Sequence, residues 1–268
     1  FGYTPNFNLK RNDQSNIYIS NSHYNFIGGT NIGEGNLLVP VPTASLWMNN
    51  NSHDNFIRGN MFGTDPTGTI ALGSRMGSAI QLNDASYNII GGNTSAHRNI
   101  IANSSTGVYM IGICVFNLIM NNHIGVDVSG SNVISNNGGI YMDNGPAFNN
   151  IRGNVISGNN FNGITIDWNA GKDNLIHGNN IGTDASGTVA IPNNGQGIFS
   201  ATRVAIGTYF SGDRNIISGN GGRAIWLASG AGHIVRGNYI GVAADGITPL
   251  PNYTGIEVAE KIFTGAQQ

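Results

Sequence analysis

Gly163-Ile-Thr-Ile-Asp167, then Asn174-Leu-Ile-His-Gly-Asn179, then Ile181-Gly-Thr-Asp-Ala-Ser-Gly-Thr188, with Gly197-Ile-Phe199 starting the series again, is the stretch that decides the fold. Each piece is a short β-branched run closed by Gly, Asn or Asp, the signature of a strand entering a tight turn. Three short strands that recur at a fixed interval describe a coil stacked on copies of itself.

The first strand type aligns along the whole chain on its middle residues, Tyr18, Trp47, Gln81, Tyr109, Tyr141, Thr165, Phe199, Trp226 and Glu257. Their separations are 29, 34, 28, 32, 24, 34, 27 and 31 residues, so long and short coils mostly alternate and the true repeat is a pair of coils. The long coils carry an extra turn, Gly63-Thr-Asp65, Gly125-Val-Asp127 and Gly182-Thr-Asp184, with a degraded copy between Gly241 and Gly246. The second strand type is Asn-x-Ile-x-Gly-Asn, read at 55–60, 88–93, 149–154 and 174–179, with variants opening at Asn25 and Asn117. The third is Val155-Ile-Ser-Gly-Asn159 and its copy ending at Asn220. Asparagines at one turn of successive coils are expected to stack amide on amide, and Asn tolerates the left-handed backbone of such a corner. The expectation is an all-β, right-handed parallel β-helix of eight to nine coils forming a single domain over 1–268. Its repeats span 16–258, after an irregular segment 1–15 and before a short end 259–268.

Composition narrows the function. Gly, at 40 residues, is about twice its usual share, and charged residues make up only 10%. An apolar fraction of 40% is too high for a solvated tail. A net charge of −2 offers no basic face, which argues against nucleic acid, and no apolar run is long enough to insert in a membrane as a helix. The lone Cys114 reads as a small apolar core residue. Low charge with an Asn/Gly/Thr-rich surface suits a secreted or cell-surface protein.

The string Asn-x-Ile-x-Gly-Asn-x-Ile-Gly-Thr-Asp-x-x-Gly-Thr followed by Gly-Ile resembles the parallel β-helix repeats of secreted bacterial surface proteins, over residues 16–258. That resemblance implies a fold shared by polysaccharide lyases, glycosidases, epimerases and adhesive stalks. The Asn-Thr-Asp, paired-Asp and Gly-His-Gly series of polygalacturonases is missing, as is the acidic cluster with a neighbouring Arg of pectate lyases, so no named activity transfers.

Period-two alternation turns the middle residues of the first strand outward. Six of those nine are aromatic, a line of rings suited to stacking on sugar faces; packing on one another, or cover by a partner, would also account for it. Trp47, Tyr109, Tyr141, Phe199 and Trp226 are the expected binding rings. The next outward column contains just two carboxylates, Asp143 and Asp167, on successive coils. Spaced about 5 Å apart, two like charges would separate into an acid and a base, the pair a glycosidase uses. Turn capping is the competing reading for both. Trp168 is expected as a sugar platform, and Lys172 and Arg203 as cations for a uronate carboxylate. No His/Cys/carboxylate cluster has ligand spacing, so neither metal nor other cofactor is expected. The expected partner is a polysaccharide or oligosaccharide, cleaved by hydrolase or lyase chemistry or, alternatively, only bound by an adhesin or stalk. Self-association through the lateral face or a coil end near Ile256 is a further expectation.

Overall fold

A computed structural model describes residues 11–259; of the expected terminal segments 1–15 and 259–268, residues 1–10 and 260–268 lie outside the described residues. The chain is a right-handed parallel β-helix of three sheets, with nine rungs in the first and eight in each of the others among the described residues. The first sheet runs from Ser15–Ser20 to Thr254–Val258, the second from Phe26–Gly28 to Ile234–Val235, and the third from Leu37–Leu38 to Tyr239–Ile240. Every coil visits the sheets in that order, so each strand pairs in parallel with its equivalents one coil away.

The inward columns build one continuous core. Leu46, Ile80, Val108, Ile140, Ile164, Ile198 and Ile225 stack from the first sheet, facing Ile57, Ile90, Ile119, Ile151, Ile176 and Ile206 from the second. Each such side chain, wholly removed from water, contributes about 1.5–3 kcal/mol before chain entropy is charged against it. Cys114 joins this core, and burial pushes its thiol up to about 11, so it behaves as an apolar residue.

All three corners are sealed by buried asparagine ladders. The first runs Asn25, Asn55, Asn88, Asn117, Asn149, Asn174, and each amide donates to the carbonyl oxygen of the next at 2.8–3.1 Å. The second runs Asn36, Asn60, Asn99, Asn122, Asn154, Asn179, Asn215, Asn238. The third runs Asn136, Asn159, Asn193, Asn220, Asn252. One expectation fails here. Asn93 does not close the unit that begins at Asn88; it is exposed, and Asn99 takes the rung. Seven residues, 92–98, fill that corner where the short corners have one, and equally long corners occupy 29–35 and 208–214.

The extra turns of the long coils form small antiparallel loops, bridged at Thr64–Ala71, Val126–Val133, Thr183–Ala190 and Val242–Pro249. Asp65, Asp127 and Asp184 cap them by accepting backbone N–H groups, and in the fourth loop Asp245 does this from two positions later. These loops also touch each other: the N–H groups of Val128, Ala185 and Ala244 donate to the carbonyls of Gly68, Gly130 and Gly187. Gly130 must be glycine, because its φ is +71° and a Cβ would lie 2.7 Å from Ala185 Cβ.

Candidate functional site

The outward column of the first sheet stands in the expected register, Tyr18–Trp47–Gln81–Tyr109–Tyr141–Thr165–Phe199–Trp226–Glu257. The rings are half-buried apart from the exposed Tyr18, and they pack in pairs. Tyr18 meets Trp47 edge-on at 5.1 Å, Tyr109 tilts against Tyr141 at 5.6 Å, and Phe199 meets Trp226 edge-on at 5.0 Å. Gln81 and Thr165 interrupt the line, so the column is three ring pairs with two gaps rather than one unbroken strip. Arg223 closes the far end, with its guanidinium 4.5 Å over Trp226 and paired to Glu257.

Asp143 and Asp167 fall on adjacent coils of this same face. Tyr141 and Met142 pair with Thr165 and Ile166, and the Asp167 N–H extends that ladder to Met142 O at 2.9 Å. Tyr141 crosses to the next coil and donates its phenol hydrogen to Asp167 Oδ2, while Asp167 Oδ1 accepts the Trp168 N–H at 2.8 Å. Asp167 therefore caps its own turn and also anchors a ring of the column. Burial, the bond to Asp167 and the charges of both carboxylates push the Tyr141 phenol well above its ordinary value. Burial and the same two charges raise Tyr109. Both phenols keep their protons, and Tyr141 uses its own as the donor to Asp167.

Around the Thr165 gap the surface is concave. A groove of about 460 Å³ follows the entry ends of three strands, between Ser105–Thr106 on one side and Phe161–Asn162 on the other, with Tyr141 and Thr165 forming its inner wall. Asn162 donates to Thr165 Oγ1 at 3.1 Å, and Arg75 fixes Asn137 at 2.8 Å, so the polar lining is held in place. Trp168 approaches Phe199 edge-on at 6.3 Å across the exit side. The carboxylates lie two residues further along the strands than the Tyr141–Thr165 level, about 6.6 Å away.

Lys172 and Arg203 are not brought to the carboxylates. Arg203 forks onto Asp173, Nε to Oδ1 at 2.6 Å and Nη2 to Oδ2 at 2.5 Å, at the corner leading into the second sheet. Lys172 is exposed in the same turn, where its carbonyl accepts the Phe148 N–H.

A second ring column escaped sequence reasoning. Tyr24, Tyr87, Phe116 and Phe148 each precede a first-ladder asparagine, are about half exposed or more, and hold φ of 58°, 59°, 55° and 57°. Tyr87, Phe116 and Phe148 stack at 5.3 and 5.5 Å. The aromatic-Asn dipeptide repeated at 24, 87, 116 and 148 was the available signal.

No family model, curated protein or solved structure matches the chain.

Proposed function

We propose that the chain is a carbohydrate-binding β-helix of a secreted or cell-surface protein, which takes a polysaccharide along the outward face of its first sheet. The carrying observation is the gap at Thr165. There one rung offers a small hydroxyl side chain between Tyr141 and Phe199, opening on a groove lined by hydroxyl and amide groups. A pyranose needs an apolar wall for its C–H face and dense donors and acceptors for its edge, and this rung supplies both. The coil spacing of about 4.8 Å is close to the length of a sugar unit, so a chain can lie along the rod with its residues in step with the rungs.

The test is binding to a polysaccharide panel by wild type and by Thr165→Trp, which completes the ring line and fills the gap. Binding that falls at least tenfold in the variant supports the reading. Binding unchanged across the panel removes it.

Cleavage is a second reading, favoured by the adjacency of two carboxylates on the binding face. Asp167 is held through both oxygens by the Tyr141 hydroxyl and the Trp168 N–H, so in this reading it is the fixed member of the pair and Asp143 its partner across the bound sugar. Asp143→Asn and Asp167→Asn separate the two readings. Loss of reducing ends or unsaturated products with binding retained supports cleavage, and no product from wild type on any binding polysaccharide leaves a binding module.

A further inference from the structure

The second sheet ends each strand on one more outward column, Gly28, Arg58, Gly91, Met120, Arg152, His177, Gly207, Arg236. Three of these positions are glycine, and all three open a seven-residue corner. A Cβ there would lie 1.9 Å from the carbonyl oxygen of the next coil, of Arg58, Met120 and Arg236 respectively. The long corners 92–98 and 208–214 thus bracket three consecutive rungs with short corners, and their own rungs are about 19 Å apart. Between them lies a saddle of about 250 Å³.

Its floor is bare. Gly153 and Gly178 form it, and a Cβ at Gly153 would meet nothing nearer than Asn121 N at 3.8 Å. Asn121 takes the equivalent corner with φ 56°, so this backbone accepts an asparagine and the glycines leave room above themselves. The walls are fixed. Asn121 donates to the carbonyls of Gly92 and Thr94 and accepts from Arg98 at 3.0 Å, while Gly178 N–H donates to Asp213 O at 2.7 Å.

The polar groups converge. His177 is only 8% exposed, its Nε2 is buried without a hydrogen-bond partner, and its Nδ1 lies 3.1 Å from Asp213 Oδ1. An orphaned buried ring nitrogen is costly and marks a place for a ligand or water. Arg152 stands on the neighbouring rung, with Nη2 at 3.6 Å from Met120 Sδ and its charge acting on Asp213. The Thr208 hydroxyl, at 2.8 Å from Oδ2, holds the Asp213 carboxyl below its usual range, and His177 and Arg152 add to this.

We propose that this saddle binds one acidic sugar unit, a pyranose bearing a single carboxylate. Its carboxylate lies on the Arg152 guanidinium, its hydroxyls bond to Asp213 beside the His177 ring, and its C–H face rests on Gly153 and Gly178. The charge balance selects this class. One guanidinium suits a single negative charge, while Asp213 repels a second one and accepts from the ring hydroxyls of a sugar. The saddle is on a different corner from the Tyr141–Asp167 face, so its test is independent of the first-sheet reading.

The experiment follows the ring nitrogens of His177 by long-range ¹H–¹⁵N spectra during titration with glucuronate, glucose and inorganic phosphate. Saturable shifts with glucuronate, at least about tenfold weaker affinity for glucose, and weaker binding of phosphate are expected. Gly153→Asn fills the saddle and abolishes the shifts, and Arg152→Met reduces glucuronate to the level of glucose. Circular dichroism confirms that each variant keeps its fold. No response of His177 in wild type, phosphate binding as tightly as glucuronate, or full response in a folded Gly153→Asn would each overturn the assignment.

Discussion

Replacing Asn122 by Ala removes one rung of the second ladder and measures what the corner asparagines contribute. The Asn122 amide donates to Ile90 O at 2.9 Å, Met120 O at 3.1 Å and Asn154 Oδ1 at 3.1 Å. Its Oδ1 accepts the Asn99 N–H at 3.2 Å and the Asn99 amide at 2.8 Å, and the side chain is wholly buried. All five bonds are lost, four at about 0.5–1 kcal/mol each, while loss of the fifth leaves the Asn99 backbone N–H buried without an acceptor at about 1–3 kcal/mol. The sum is about 3–7 kcal/mol, several times an ordinary substitution. The control is Asn93→Ala, since Asn93 belongs to the same sequence motif but is exposed; it should change stability by no more than about 0.5 kcal/mol. Urea unfolding followed by circular dichroism compares the two, provided the dependence on urea keeps its slope. A loss below about 1 kcal/mol for Asn122→Ala, or an equal loss for both variants, would refute the ladder as the corner's main support.

Two further predictions concern pH. Burial, aided by Arg98, pushes His123 down to about 4, so the folded protein holds the ring neutral while the unfolded chain protonates it near 6.5. Its contribution is therefore complete above pH ~6.5 and fades as pH falls toward 4, a loss of about 3 kcal/mol that urea midpoints would register and His123→Gln would flatten. Tyr141 has the opposite sign: its folded value is raised, so its contribution is complete below about pH 10 and fades as pH rises beyond it. Tm measured from about pH 9 to pH 11 should fall less steeply in Tyr141→Phe than in wild type.

The first-sheet register was legible because an inward β-branched residue on each side of an outward one marks strand phase unambiguously, as in Ile164-Thr165-Ile166. That phase also placed Asp143 and Asp167 on one face. Phase gives the direction of a side chain but not its tilt, so the pairing of Tyr109 with Tyr141 and of Phe199 with Trp226 was not readable. Asn93 misleads because Gly91-Gly92-Asn93 imitates the short corner while a seven-residue corner carries the rung to Asn99. Arg203 was assigned by its distance from a strand end, whereas its position in the corner gives it to Asp173. The saddle needed two long corners of equal length to be recognised together with Arg152 and His177 between them. The motif Asn-x-Ile-x-Gly-Asn hid both residues in its variable position.

Locating a bound oligosaccharide tests the central claim most directly. A crystal soaked with the best-binding member of the panel should show a sugar ring over Thr165 between Tyr141 and Phe199, with hydroxyls within hydrogen-bond reach of Asp143 or Asp167. Sugar seated elsewhere on the rod with the Thr165 gap empty would contradict it.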